Sequence, residues 1–184
     1  TYLNVEMATT PEMISIAVDT QPDAVSLVPE NRAEITTEGG LDVENNFDAV
    51  RRAVDKLRES DIFTSIFIDP DLKQIEAAQR AGAQQIEICT AEYAELTLGA
   101  KSAHGDGLER ARAELERIKR ASQHARELGL VVAAGHGLTY RNIGALARMT
   151  EISEFNIGHN IISRSIFVGL EQAVREMIEA IRQA

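Results

Sequence analysis

Near the start of the chain, apolar and polar side chains alternate in the segment Leu3-Asn4-Val5-Glu6-Met7. Side chains on a β-strand point alternately to its two faces, so one face here is apolar and the other carries Asn4 and Glu6. The same alternation recurs in Gln85-Ile86-Glu87-Ile88-Cys89, where Glu87 stands between two isoleucines. Both segments predict strands that bury one face and present carboxylates on the other.

Apolar and β-branched runs bounded by turn residues recur along the whole chain, and we interpret six of them as strands. They are residues 3–7, 24–28, 62–68, 85–89, 130–134 and 154–157. Helical patterns lie between them; residues 45–60, for example, place their apolar side chains on one face of a 3.6-residue helix. Parallel strands need a crossover connection, and a helix is the usual one. The alternation therefore predicts an α/β fold with a parallel sheet.

Two parallel architectures compete, an open doubly wound sheet and a closed (β/α)8 TIM barrel. Helices on both sides of an open sheet favour two apolar faces, whereas a barrel interior near its catalytic mouth accepts polar residues such as Glu6 and Glu87. Six units in 184 residues give about 31 residues per unit, close to a typical barrel. We therefore expect one barrel domain over residues 1–184, holding the third to eighth βα units, with the first two apparently missing.

The composition excludes several classes of protein. Lys and Arg total 19 against 29 Asp and Glu, a formal net charge of −10, which argues against a nucleic-acid partner because a polyanion would be repelled. No apolar run approaches the roughly 20 residues needed to cross a bilayer. The single cysteine, Cys89, cannot form an internal disulfide. We expect a soluble, cytoplasmic protein that acts on small molecules.

Barrels hold their active sites at the carboxyl ends of the strands, and four residues that can carry chemistry fall there. Glu6 and Glu87 close the first and fourth runs, His136 follows the fifth, and His159 follows the sixth. Two carboxylates and two imidazoles at one mouth can move protons in both directions near neutral pH once burial shifts their pKa values.

Simpler interpretations compete with these roles. A glutamate in a strand is often only ion-paired, and His159 could serve only as a helix cap. Cys89 fits a small buried hydrophobe better than a nucleophile. Two histidines and two glutamates could hold a metal, but the sequence has no close ligand pair such as His-x-x-x-His, so we expect no metal site.

The last two strand ends also predict phosphate binding. Glycines flank His136 and precede His159, and glycine permits close backbone approach. The N–H groups at a following helix N-terminus suit a phosphate, and many barrels hold one at positions seven and eight. The long loop at residues 29–43 supplies further hydroxyls and glycines and could act as a lid.

Four motifs together resemble the pyridoxine 5'-phosphate synthases of the deoxyxylulose-dependent vitamin B6 pathway. They are Val28-Pro29-Glu30, Thr36-Thr37-Glu38-Gly39-Gly40-Leu41-Asp42-Val43, Ala134-Gly135-His136-Gly137-Leu138-Thr139-Tyr140 and Asn156-Ile157-Gly158-His159. The likeness implies a (β/α)8 barrel that assembles as a homo-octamer and needs no metal or organic cofactor. It implies condensation of 3-amino-2-oxopropyl phosphate with 1-deoxy-D-xylulose 5-phosphate to give pyridoxine 5'-phosphate, phosphate and water.

The resemblance also implies roles for individual residues. Glu6 matches a general acid/base, His136 a proton donor, and Glu87 the carboxylate that stabilises charged intermediates. Four further residues match positions that hold the amino-ketone phosphate, namely Thr36, Gly137, Gly158 and His159. The chain departs from the family pattern at Cys89, where the family usually has His, and at Ala133, where it usually has Asn.

Two other functions stay open on the residues alone. A phosphate-binding barrel with glutamate and histidine could instead be an isomerase or epimerase of a single sugar phosphate. A barrel remnant could bind phosphate compounds without catalysis, because an incomplete barrel exposes strand edges and lacks part of its substrate site.

Overall fold

The computed structural model describes residues 1–29, 39–98 and 106–184. Its strands are β1 (Asn4–Met7), β2 (Ala24–Leu27), β3 (Phe63–Ile68), β4 (Gln85–Cys89), β5 (Val131–Gly135) and β6 (Glu154–Asn156). Each strand falls within one of the six predicted runs or passes its end by a single residue. Apolar and β-branched runs bounded by turn residues were therefore sufficient to locate these strands.

Helices connect the strands. They are α1 (Pro11–Thr20), α2 (Phe47–Glu59), α3 (Leu72–Ala81), α4 (Ala91–Leu98), α5 (Gly107–Glu127), α6 (Ile143–Ala147), α7 (His159–Val168) and α8 (Leu170–Arg182). The helix predicted within residues 45–60 is confirmed as α2, which buries Val50, Val54 and Leu57 as one apolar face. Two helices, α4 and α5, connect β4 to β5, and two more follow β6.

The starts of α1 and α3 follow from capping residues. The Thr10 hydroxyl accepts a hydrogen bond from the Met13 N–H at 3.3 Å, and Pro11 occupies the first helical position, where its missing N–H costs nothing. At α3 the cap is Asp71, whose carboxylate accepts from the backbone N–H groups of Lys73 and Gln74. These side chains satisfy N–H groups that have no partner inside the helix.

The sheet runs in the unbroken order β1-β2-β3-β4-β5-β6, and every neighbouring pair is parallel. A doubly wound sheet reverses its strand order at a switch point, and this one does not. Right-handed crossovers that all step in one direction place the helices on a single side of the sheet. The architecture is therefore α/β with a six-stranded parallel half-barrel, and within the described residues β1 and β6 remain its two edges.

The two faces of the sheet differ as the sequence alternation predicts. The helix-covered face carries Ile66, Ile86 and Ile88, all fully buried. The inner face is polar: the Asn4 side-chain amide donates to the Ser26 hydroxyl oxygen at 3.0 Å. The core thus lies between sheet and helices, and the inner face is left for a site.

None of the helices in the described ranges is both long enough and apolar enough to span a membrane.

Candidate active site

A cavity of about 830 Å³ opens at the carboxyl ends of the strands, on the inner side of the half-barrel. The residues that the sequence nominated for proton transfer all line it: Glu6, Glu87, His136 and His159. Gly137 and Gly158 line it as well. Thr36, the remaining predicted phosphate contact, lies outside the described residues. Strand ends that are far apart in sequence therefore supply one common site.

Glu87 is a buried carboxyl group of this cavity. It lies in β4 with only 5% of its surface exposed, and the side-chain amide of Asn156 donates a 2.7 Å hydrogen bond to its Oε2. Burial raises the pKa of Glu87 to about 7, the Asn156 hydrogen bond lowers it, and the charges of Glu6 and Glu154 raise it further. A carboxyl with this pKa can either donate or accept a proton near neutral pH.

Gly135 makes room for the Glu87 side chain. Asn156 pairs with Gly135 across β5 and β6, whereas Glu87 lies on the far side of β5, in β4. The Glu87 carboxylate reaches Asn156 by crossing over Gly135, and a Cβ on residue 135 would overlap its Oε1 atom. Glycine at this position is therefore required by the path of Glu87, not by backbone torsion.

Glu6 occupies the corresponding place on the opposite side of the cavity. It belongs to β1, an edge strand of the described sheet, and its side chain is exposed toward the cavity. Its charge is one of the causes that raise the pKa of Glu87. The two carboxylates thus share one site but differ in burial.

His136 lies in a turn with unusual backbone geometry. Its φ is 78° and that of Gly137 is 76°, in the left-handed region that costs a non-glycine residue about 1–2 kcal/mol. The half-buried imidazole lies with its centroid 6.4 Å from that of the Phe67 ring. Strain held at a cavity-lining residue is typical of functional sites, because surrounding contacts must maintain it.

Asn142 stabilises the turn that follows His136. Its side-chain oxygen accepts a 2.7 Å hydrogen bond from the Thr139 N–H, and its amide donates to the Gly137 carbonyl at 3.4 Å. The buried Tyr93 hydroxyl donates to the Asn142 carbonyl at 2.9 Å. The turn between β5 and α6 is therefore fixed by side chains of two neighbouring segments.

His159 is the first residue of α7, and its N-cap residue is Gly158. Among the described residues no side-chain hydrogen bond caps this helix, so the interpretation of His159 as a mere capping side chain is wrong. Within the part of the chain that the structure describes, a Cβ on Gly158 would meet nothing within 4 Å, and Gly158, His159 and Asn160 line the main cavity. An uncapped helix N-terminus facing a cavity is a favourable place for an anion.

Gly40 and Leu41 contact the end of β3. The Gly40 N–H donates to the Asp69 carboxylate at 3.1 Å, and the Leu41 N–H donates to the Phe67 carbonyl at 2.7 Å. A Cβ on Gly40 would overlap the backbone of Ile68 and Asp69. The predicted lid falls mainly on residues 30–38, which lie outside the described residues.

A second cavity, of about 520 Å³, lies beside the first and shares His136 and Gly137 with it. Cys89 lines it but is 5% exposed, and burial raises the pKa of its thiol to about 11. A thiol with that pKa is protonated near neutral pH and is a weak nucleophile. The expectation of a small buried side chain at Cys89 is thus confirmed.

Several residues that line the main cavity were not assigned roles by sequence reasoning, Asn4, Asn156 and Phe67 among them. Asn156 stood inside a quoted motif, but its partner Glu87 is 69 residues away. Among the residues that the structure describes, no group of three or more His, Cys, Asp or Glu side chains is arranged to hold a metal ion.

A parallel half-barrel that brings acids and imidazoles into one cavity at its carboxyl edge is typical of barrel-type enzymes. The chain matches, over residues 1–183, the model of the family described as "Pyridoxal phosphate biosynthesis protein PdxJ". It belongs to that family.

Curated relatives support the same family membership. The "Pyridoxine 5'-phosphate synthase" of Synechococcus sp. (strain JA-2-3B'a(2-13)) is 51% identical over 180 residues, which are 98% of this chain and 72% of the relative. The protein of the same name from Geobacter sp. (strain M21) is 50% identical over 184 residues, which are 100% of this chain and 73% of the relative.

Solved structures agree on the fold alone. The HpcH/HpaI aldolase from Desulfitobacterium hafniense DCB-2 superposes with a TM-score of 0.54 at 13% identity, covering 98% of this chain and 72% of that one. The Amycolatopsis orientalis BexX/CysO complex gives a TM-score of 0.60 at 15% identity, covering 92% and 58%.

Proposed function

We propose that the protein is a pyridoxine 5'-phosphate synthase that condenses 3-amino-2-oxopropyl phosphate with 1-deoxy-D-xylulose 5-phosphate by acid–base catalysis. The products are pyridoxine 5'-phosphate, inorganic phosphate and water. The observation that carries the proposal is the convergence of Glu6, Glu87, His136 and His159 on one cavity, with the pKa of Glu87 raised to about 7.

The reaction explains why several proton carriers surround one cavity. Building a pyridine ring from an amine and a ketone requires imine formation, proton abstraction beside a carbonyl, loss of phosphate and dehydration. In the proposed mechanism Glu6 is the general acid/base and His136 the proton donor. Exposure of Glu6 toward the cavity and the fixed turn at His136 support these roles.

Glu87 stabilises positively charged intermediates in this mechanism. A carboxyl with a pKa of about 7 is uncharged about half the time at neutral pH, and a cationic iminium nearby would favour its ionised form. Its buried position strengthens that interaction, because few water molecules screen it. Asn156 holds the carboxylate in place for the encounter.

The phosphate of the amino ketone lies at the amino end of α7 in this proposal. Gly158 and His159 supply backbone N–H groups there, and Gly137 adds an N–H from the end of the neighbouring strand β5. Thr36 would contribute from the loop after β2. The open space beside Gly158 supports a ligand at this point.

We also propose that the six strands belong to an eight-stranded barrel, that the chain forms a single domain, and that the protein assembles as a homo-octamer in the cytoplasm. The unreversed parallel strand order supports the barrel. Sedimentation velocity of the protein tests the assembly, and a monomer at micromolar concentration would contradict it.

Incubation with both substrates tests the activity. We expect release of inorganic phosphate and formation of pyridoxine 5'-phosphate, detected by mass spectrometry, only when both substrates are present. Turnover of either substrate alone would instead indicate a sugar-phosphate isomerase or epimerase. Phosphate binding without turnover of any mixture would indicate a non-catalytic barrel.

A further inference from the structure

A fully buried threonine hydroxyl lies directly behind the His136 turn. Thr90 follows β4, and its Oγ1 is 2.8 Å from the carbonyl oxygen of Gly135 and 2.7 Å from that of His136. We propose that Thr90 is a positioning residue that fixes the peptide between His136 and Gly137 for proton transfer and phosphate binding. This inference rests on the proposed function, because it concerns the same site.

The hydroxyl and the backbone of Thr90 satisfy different acceptors. The Gly135 carbonyl already accepts the Thr90 backbone N–H at 2.8 Å, which continues the β4–β5 ladder by one residue. A hydroxyl carries a single hydrogen. Among the described contacts the His136 carbonyl has no other donor, whereas the Gly135 carbonyl has the Thr90 N–H, so we assign the hydroxyl hydrogen to the His136 carbonyl.

Peptide geometry connects this carbonyl to the cavity. The described residues contain no cis peptide bond, so the His136 carbonyl and the Gly137 N–H lie on opposite sides of one planar trans unit. A carbonyl held on Thr90 directs the N–H away from Thr90. Gly137 lines the main cavity and Thr90 does not. One hydrogen bond thus sets both the backbone that carries the imidazole and the direction of a phosphate-binding donor.

Helix α4 keeps Thr90 itself in place. The Thr90 carbonyl accepts the Ala94 N–H at 2.9 Å, so Thr90 opens the first turn of the helix. The same turn packs against the His136 segment, since a Cβ on Gly137 would lie 2.5 Å from the Ala94 Cβ. The strain at His136 and the net contribution of one hydrogen bond are similar in size. Loss of the hydroxyl should therefore weaken the contacts that hold His136 in this conformation.

The test replaces Thr90→Val, which removes the hydroxyl and nearly preserves the shape. We expect kcat/KM for the two-substrate reaction to fall about 10- to 100-fold, because small displacements of reacting groups have effects of this order. KM for the amino-ketone phosphate should rise as well. Thr90→Ser keeps the hydroxyl and should retain activity within about threefold, an effect small enough to fit unchanged hydrogen bonding.

Thr64→Val is the matched control. Thr64 is a buried threonine of β3 whose hydroxyl donates to the Ile62 carbonyl at 3.3 Å, away from the cavity. The Thr64→Val variant should lose stability as Thr90→Val does, but its kcat/KM should stay at the wild-type value. Equal loss of activity in Thr64→Val would overturn the proposal, as would a Thr90→Ser variant no better than Thr90→Val.

A binding measurement separates this inference from the proposed reaction. In ¹⁵N–¹H spectra of the wild-type protein, the Gly137 amide should shift as inorganic phosphate is added, and in Thr90→Val the same shift should need several-fold more phosphate. If the wild-type protein makes no product, this titration still decides the role of Thr90. An unchanged Gly137 response, or unchanged kcat/KM, would refute it. If Thr90→Val does not fold, Thr90→Ala is measured instead.

Discussion

Two carboxylates face the same cavity from opposite sides, and their surroundings differ. Glu87 lies in an interior strand, is 5% exposed and is hydrogen-bonded to Asn156. Glu6 lies on edge strand β1 and is exposed. Identical functional groups at equivalent strand ends thus differ in burial and neighbours, and burial raises the pKa of Glu87 to about 7.

The comparison assigns separate tasks to the two sides. The β4–β6 side holds Glu87 in one orientation through Gly135 and Asn156, as suits a group that stabilises charge without moving. On the β1 side Glu6 is exposed, as suits the proton exchange with substrate that we propose for it. Substitutions on each side should therefore fail in different ways.

The largest effect is expected from Glu6→Gln, which removes the proposed proton acceptor and nearly preserves its shape. We expect kcat to fall by roughly 10²–10⁴-fold, with little change in KM, because general acid–base catalysis contributes about that much. Steady-state kinetics with both substrates measure it. Glu12 is an exposed residue of α1, so the control variant Glu12→Gln should have an unchanged kcat. Wild-type turnover in Glu6→Gln would show that Glu6 takes no part in the mechanism.

Glu87→Gln tests the buried side through stability. The folded protein holds the Glu87 proton up to a pKa of about 7, whereas the unfolded chain loses it near 4.5. Between these values the folded state binds more protons, so the wild-type free energy of unfolding should fall as pH rises, by about 3 kcal/mol in total, and then level off.

Chemical denaturation of both proteins from pH 4.5 to 8 measures this difference, since Glu87→Gln should lack that part of the pH dependence. Glu109→Gln, in the exposed first turn of α5, should keep the wild-type dependence. Parallel curves for the wild-type protein and Glu87→Gln would mean that the pKa of Glu87 is not raised.

Gly135→Ala displaces the Glu87 carboxylate by steric overlap, without changing any charged group. Its Cβ would occupy the place of the Glu87 Oε1 atom, so the carboxylate must leave Asn156 or the strands must separate. We expect kcat/KM to fall about 100-fold, as for other misplaced catalytic groups. In Gly144→Ala the new Cβ would meet its nearest neighbours at 3.9 and 4.0 Å, and activity should persist. Wild-type kinetics in Gly135→Ala would show that the Glu87 side chain can reach its working position without passing over residue 135.

The contrast between the two sides also marks the limit of sequence reasoning. Alternation within β1 and β4 was sufficient to predict strands and to place Glu6 and Glu87 at a common edge, because period-2 patterns are local. The contacts of Glu87 with Gly135 and Asn156 depend on the register of three strands, and the hydrogen bond spans 69 residues of sequence. Register is set by the packed sheet and turns, so no local pattern reveals it.

His136 and Thr90 illustrate the same limit in the turns. The flanking glycines were sufficient to nominate His136, but its own positive φ and the hydroxyl that bonds its carbonyl are tertiary features. Threonine after a strand is common, and nothing in its neighbourhood distinguishes Thr90 before the fold is known. Residues that act through another residue are therefore the ones that sequence patterns miss.

Asn156→Leu is expected to give the smallest of these effects, and the sign of its effect is informative. The amide of Asn156 lowers the pKa of Glu87 against the larger effect of burial. Leucine has a similar size but cannot donate that hydrogen bond, so the pKa of Glu87 should rise. The limb of the kcat/KM–pH profile that reports the titration of Glu87 should therefore move to higher pH. The rate at neutral pH should change several-fold, less than in Gly135→Ala, because burial is unaltered.

Glu154→Gln should shift the pKa of Glu87 in the opposite direction. It removes a like charge that raises the pKa of Glu87, so the same limb should move to lower pH. Profiles of kcat/KM against pH for the wild-type protein and the two variants measure both displacements. Two variants moving in the same direction would show that the limb belongs to another group, since only a titrating Glu87 responds oppositely to losing a hydrogen-bond donor and losing a negative neighbour.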